Sequence, residues 1–403
     1  RMERNKSCNS FHYCNCYFLY NRFLCFEVKL LRRRDFDLWI FITVLILLVM
    51  GVSMVYSASS YYALRIFGSK EYFLIRQLIW STIGVFVMLF VSRLDYHRIA
   101  QFSPIMILAS VVLLILVLIP GIGSVVNESR RWFNFGFASF QPSEMAKLSV
   151  ILFFSFKLSK DSEKLKYFWK GLVPYLLIIG VIDFLLIQEP HFSGTILISS
   201  VAVIILFCAG AKIWHFILIT VPTIPVMIYL VVTEEYRLKR VLTFLNPFED
   251  PTDSGYQIIN SLYAIGSGGL FGKGIGQSIQ KNLYIPEPHT DFIFSILAEE
   301  LGFIGAVTVL LLFIVLIWRG IRIAMYAPDM LGSLIAMGMT SLIAVQVIIN
   351  VAVVTSSMPA TGMPLPFFTY GGSSLAFLTV GLGILLNISR SVGTQYRLKR
   401  EKV

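Results

Sequence analysis

Ten apolar runs, each approaching the length of a bilayer crossing, leave this chain few folds to adopt. They fall roughly at 36–56, 72–92, 103–120, 142–158, 171–188, 193–210, 213–232, 291–318, 331–354 and 367–389. A helix needs about 20 apolar residues to span the hydrocarbon core, and it satisfies its backbone donors and acceptors where no water is present. Charged residues make up 14% of the 403 residues and hydrophobic ones 56%, against about 25% charged in soluble domains. An ordinary globular enzyme is excluded. The pattern predicts a single-domain, all-α polytopic membrane protein with about ten transmembrane helices.

The formal charge of +11 does not gather into one patch of the kind nucleic acid requires. Lys and Arg stand in short groups between apolar runs. With the N-terminus inside, Arg32-Arg33-Arg34, Arg93, Arg98, the stretch Lys157 to Lys170, Lys212, Arg319 and Arg322 all fall on the inner side. Both termini therefore read as cytoplasmic. Arg130-Arg131 and the group Arg237, Lys239, Arg240 break this rule on the outer side. The longest break, about 233–290 between helices 7 and 8, is then extracytoplasmic, and loops of that length usually carry function.

Three parts follow: an N-terminal extension over 1–34 expected to be poorly ordered, a transmembrane domain over 35–390, and a basic cytoplasmic tail over 391–403. The extension holds Cys8, Cys14, Cys16 and Cys25. A reducing cytoplasm argues against disulfides there, and Cys14-x-Cys16 fits no zinc spacing. It reads as dispensable or as an artefact of the start site, and it lacks the apolar core and cleavage site of a signal peptide.

In the long loop, Glu234 to Arg240 is charged and Asn246 to Pro251 is turn-rich. Tyr256 to Ile265 has apolar residues at helical spacing, suited to lying on the membrane surface. A glycine-rich stretch from Gly266 to Gly276 follows. A phosphate loop would need Gly at 267 and Ser or Thr after Lys273, where the chain has Ser267 and Gly274. Nucleotide binding is rejected; flexible backbone beside a lipid headgroup and a simple turn both stay open.

Asp291 is the leading candidate for chemistry. It stands where a hydrophobic helix begins, and an ionisable group at a membrane boundary is costly unless it is used. On an ideal helix Ser295 and Ala298 share its face, while Glu299 and Glu300 lie about 12 Å deeper. The competing reading is helix capping, for which Asp is well suited. His289 and Thr290 precede it. Glu144 and Lys147, three apart behind Pro142 at the first helical position, can pair on one face, as a structural clamp or a substrate site. Arg130, Arg131, Arg237 and Arg240 are either solvated loop charge or a clamp for a pyrophosphate. Asp183, within the fifth span, is expected to pair internally. Thr361 to Ser374, which includes Ser373, is broken by Pro and Gly, and such backbone at membrane depth needs protein or a cavity against it.

Several stretches, in order, carry a resemblance. They are Arg130-Arg131-Trp132 with Gln141-Pro142-Ser143-Glu144, then Phe244-Leu245-Asn246-Pro247 with Asp250-Pro251, then Gly255-Tyr256-Gln257 and Ile265 to Gly269. Pro286 to Phe294, Glu299-Glu300-Leu301-Gly302 and Thr361 to Ser374 complete the set. Together they resemble the SEDS family (shape, elongation, division and sporulation proteins) across Asp35 to Arg390, and within it the FtsW/SpoVE branch. Gln188-Glu189-Pro190-His191 departs from the Gln-Pro-Asp more usual in that family.

The resemblance implies a ten-helix peptidoglycan glycosyltransferase of the bacterial cytoplasmic membrane, polymerising lipid II at the outer face for division or sporulation. It implies a divalent cation, Mg²⁺ or Mn²⁺, for which Asp291 is a possible ligand, and it places Asp291 at the family's essential Asp position. The partners implied are lipid II, polyprenyl-diphosphate-linked glycan, a class B penicillin-binding protein and other division or sporulation proteins. The rival expectations are a lipid II flippase or transporter, which ten helices with buried charge suit equally well, and a non-catalytic division scaffold.

Overall fold

The computed structural model describes residues 36–126, 129–136, 138–249, 255–281 and 289–401. The N-terminal extension with its four cysteines and Arg32 to Arg34 lies outside the described residues, as do Asp250-Pro251 and Pro286-Glu287-Pro288.

Each expected apolar run has a helix. These are α1 (Leu38–Phe67), α2 (Tyr72–Val91), α4 (Ser103–Leu118), α5 (Pro142–Asp161), α6 (Val173–Gln188), α7 (Phe192–Cys208), α8 (Ile213–Val232), α11 (Ile293–Tyr326), α12 (Met330–Val354) and α13 (Gly372–Glu401). Shorter helices join them: α3 (Tyr96–Gln101), α9 (Glu235–Leu245) and α10 (Tyr256–Gly268). Among the described residues, six helical segments are both long and apolar enough to cross a membrane: Leu38–Phe67, Tyr72–Val91, Phe168–Gln188, Ile293–Tyr326, Met330–Val354 and Gly372–Val392. α4 and α7 are shorter, with 16 and 17 residues. The charges of Glu144, Lys147, Lys157 and Lys160 make α5 more polar than most of the others.

α1 outruns its apolar stretch. Its last turns carry Ser57, Ser59 and Ser60, and the helix stops only at Gly68, a left-handed cap (φ 72) whose N–H reaches the Leu64 carbonyl at 3.1 Å. That geometry suits glycine. α13 starts later than its run, at Gly372, because Pro364 and Pro366 forbid regular helix before it. A small antiparallel sheet, β1 (Ser124–Val126), β2 (Ser129–Asn134) and β3 (Ser139–Phe140), separates α4 from α5.

α12 lies at the centre, packed on α11, α7, α5 and α13. Two thirds of its span is buried, as it is for α13. One end of the bundle is stitched by polar side chains. Asp37 caps α1 and pairs with Arg319 of α11 (2.6 Å), while its own N–H donates to Ser389 of α13 (3.0 Å). Near it His97 bridges Asp95 (2.8 Å) and Asp329 (2.6 Å). The sheet and the α6–α7 connection belong to the opposite end.

α10 is helical as its spacing predicts, but its apolar face is turned inward onto α11. Ile258, Ile259 and Ala264 are buried, and Gly268 lies so close that a methyl group there would fall 2.2 Å or less from a neighbour, 2.1 Å from the Ala298 carbonyl oxygen. Ser261 donates to the Val354 carbonyl at the end of α12 (2.8 Å).

The glycine-rich loop after α10 resolves the Glu299-Glu300 pair. α11 breaks at Gly302 (φ 68), which strips two helical hydrogen bonds from its backbone. The loop replaces them. Lys273 and Gly274 donate to the carbonyls of Glu299 and Glu300 (3.0 Å each), and the N–H groups of Phe303 and Ile304 donate to Gly269 and Leu270 (2.9 and 3.2 Å). Side chains follow the same course. Glu299 accepts from Lys273 (2.7 Å) and Ser278, and Glu300 from Lys281 (2.8 Å) and Ser57 (2.6 Å). Both carboxylates are buried, so pairing with hydrogen-bond support is what makes them tolerable. The stretch is a backbone clamp across a broken helix.

Candidate active site

The first half of α11, up to the break, carries Asp291 just ahead of its first turn. Phe292 holds the capping position and has no side-chain cap. The Asp291 backbone is fixed from the core: Asn350 of α12 donates from Nδ2 both to the Asp291 carbonyl (2.8 Å) and to the Met363 carbonyl (2.6 Å). Four residues earlier, Gln346 donates to the Pro364 carbonyl (3.0 Å). The irregular segment 361–371 thus lies against protein, with the carbonyls of Met363 and Pro364 answered by two polar side chains of α12. Gly51 of α1 makes room for it; a methyl group there would come within 2.2 Å of the Phe367 oxygen.

These elements enclose a cavity of about 430 Å³. Asp291 lines it, half-buried, with His289 and Thr290 beside it and Gly362 across from it. Gly362 has a left-handed backbone (φ 73), and a Cβ added there would stand 3.2 Å from Asp291 Oδ2. Glu144 and Lys147 line the same cavity, buried and paired at 2.7 Å. Arg131 of β2 lines it too. Its guanidinium donates to the Glu189 carbonyl (3.0 Å) and the Pro190 carbonyl, tying the sheet to the α6–α7 connection.

One wall is aromatic. Phe73 lies tilted against His289 (4.4 Å) and edge-on to Tyr370 (4.8 Å), with Tyr62 at 5.3 Å from the imidazole. Burial in this wall pushes His289 down to about 4, so the ring is neutral at physiological pH. On the far side, burial first, then the charges of Arg131 and Lys147, push His191 down to about 3.

The remaining candidates lie elsewhere. Arg130 precedes Arg131 on β2 but is not part of the cavity wall, where Ser374 and Gly371 stand instead of Ser373. The Ser373 hydroxyl is buried without a partner. Arg237 and Arg240 lie on α9, and their side chains are outside the described residues. Asp183 pairs internally, accepting from Ser199 at 2.5 Å. Among the described residues no group of three or more His, Cys, Asp or Glu side chains forms a metal cage. Sequence reasoning missed Asn350 and Gln346, and named Gly362 only within the broken segment 361–374; the signal for the pair was two polar residues one turn apart, facing that Gly-Pro segment.

A bundle of apolar helices enclosing a charged pocket at one end defines a multi-pass membrane protein with an internal site. The family model FTSW_RODA_SPOVE, described as "Cell cycle protein", matches residues 37–394. The chain belongs to that family. It is 47% identical over 355 residues to "Stage V sporulation protein E" of Bacillus subtilis (strain 168), covering 88% of this chain and 97% of that protein. It is 39% identical over 372 residues to "Probable peptidoglycan glycosyltransferase FtsW" of Geobacter metallireducens, covering 92% and 99%. Among solved structures it resembles a chain of "Structural coordination of polymerization and crosslinking by a peptidoglycan synthase complex", with a TM-score of 0.74 at 28% identity over 89% of this chain and 98% of that one.

Proposed function

We propose that this protein is a peptidoglycan glycosyltransferase that polymerises lipid II in the cavity around Asp291. The observation that carries the reading is one half-buried carboxylate, fixed through its backbone by Asn350, in a cavity that also presents cationic side chains. Asp291 takes the proton from the 4-hydroxyl of the acceptor GlcNAc. The oxygen attacks the anomeric carbon of the polyprenyl-diphosphate-linked chain as the bond to the diphosphate breaks, with inversion. A free Asp titrates at about 3.9 and is a weak base toward a hydroxyl, so positioning supplies much of the acceleration. Arg131 offers its charge to the departing diphosphate.

The donor set suits a divalent cation that arrives on the diphosphate, because such ions often take one or two carboxylates plus substrate phosphate. Asp291 would then be its protein ligand instead of the base, and the ion would neutralise leaving-group charge.

The cavity lies at the end of the bundle opposite Arg93, Arg98, Arg319, Arg322 and Arg390. The positive-inside rule supports an extracytoplasmic site. The catalytic unit is the transmembrane domain over 35–390, and its partner is a class B penicillin-binding protein, a reading supported by the likeness to a synthase complex that couples polymerization to crosslinking.

Purified full-length protein with its partner, given labelled lipid II in detergent, tests the reading against a flippase. Detergent abolishes transport but permits polymerisation. Glycan polymer is the expected product; its absence, with lipid II translocation in reconstituted vesicles, would overturn the proposal.

A further inference from the structure

The Gln188-Glu189-Pro190-His191 segment brings a histidine into the cavity that the mechanism above does not use. His191 lines the cavity and is 8% exposed. Its Nδ1 is buried without a partner, and the ring makes no hydrogen bond to any of the described residues. A neutral imidazole carries one donor and one acceptor, and a buried polar group left unanswered is costly unless something else completes it.

The local backbone is shaped around this ring. Gly194 lines the cavity one turn on, and a Cβ at that position would fall 2.8 Å from His191 Cε1 and Nδ1. The absent side chain is what lets the imidazole lie flat against the start of α7. The charged neighbours are Arg131 and Lys147, both acting on the ring. Lys147 is engaged by Glu144, and Arg131 anchors the carbonyls of Glu189 and Pro190. With two cations already present for an anionic group, an uncharged ring beside them is matched to an uncharged partner.

We propose that His191 is a substrate-binding residue that hydrogen-bonds an uncharged polar group of the glycan, a hydroxyl or an acetamide, at the wall formed with Gly194. This rests on the glycosyltransferase reading above. His191 takes no proton from the reacting oxygen and makes the same contact in the ground and transition states, so its loss weakens KM and leaves kcat unchanged.

The test uses the purified full chain with its partner and lipid II. It compares wild type with His191→Asn, which keeps a donor and an acceptor, and His191→Leu, which keeps the volume alone. His191→Leu is expected to raise KM roughly tenfold, the scale of one lost hydrogen bond, at unchanged kcat and unchanged thermal midpoint. His191→Asn is expected to stay within about threefold of wild type. The ratio between Leu and wild type stays flat from pH 5.5 to 8, because the ring is uncharged across that range. If His191→Leu fails to fold, Gly194→Ala, which displaces the ring, takes its place with the same expected rise. Equal KM values for wild type and the Leu or Ala variant would overturn the proposal, and so would a ratio that grows toward acid pH, the mark of a charged contact. No polymer from wild type would instead sink the glycosyltransferase reading.

Discussion

Asp291 and Gly362 face each other so closely that a methyl group at 362 would have to push the carboxylate aside. Ala at 362 would have to hold φ near 73 and place its Cβ 3.2 Å from the Asp291 carboxylate. Left-handed backbone costs a non-glycine residue about 1–2 kcal/mol, so Gly362→Ala should fold with a slightly lowered thermal midpoint. Its polymerisation rate should fall at least about tenfold, because a misplacement of 1 Å can cost on the order of 100-fold. Wild-type kcat would show that Gly362 does not position the carboxylate. His289 makes a pH prediction. Burial lowers it to about 4 in the folded protein from 6.5, so below pH 6.5 the unfolded chain binds the extra proton first. Stability should therefore fall as pH drops from about 6.5 to about 4 and be flat above that range. His289→Phe should remove that part of the slope; an unchanged pH profile of unfolding would contradict the neutral, buried ring.

α11 is two half-helices, and the half that follows Asp291 is held by the loop from Gly269 to Lys281. Lys281→Met would leave Glu300 buried without its cation, a loss on the order of 3–5 kcal/mol. The thermal midpoint and polymer yield should fall together, and adding Glu300→Gln should restore part of the stability. A single variant as stable as wild type would show that the pair contributes nothing to holding the half-helix.

At this scale the sequence was a good guide to helices and a poor one to joints. Apolar length located the spans, Pro142 marked the start of α5, and the three-residue spacing brought Glu144 and Lys147 together as expected. The break at Gly302 was hidden, because Ala298 to Gly305 reads as unbroken apolar helix apart from two glutamates. Its cause is a partner segment about thirty residues earlier, and no local pattern announces such a pairing. Arg130 and Arg131 were likewise equal in sequence, and only the placement of β2 separates the one at the cavity from the one outside it.

For the whole molecule, polarity divides the bundle into a stitched end and a hollow one. Asp37, Arg319, Ser389, His97 and Asp329 close the end rich in basic residues. The opposite end, where α10 and the glycine-rich loop brace α11, holds the cavity with Asp291, Arg131 and Lys147. The family's resemblance pointed to this carboxylate, and the fold gives it a wall, a fixed backbone and charged neighbours. The direct test is Asp291→Asn in the purified full-length protein with its partner, supplied with lipid II and compared with wild type for glycan polymer and thermal midpoint. The account predicts an unchanged midpoint and no polymer; polymer at the wild-type yield would contradict it.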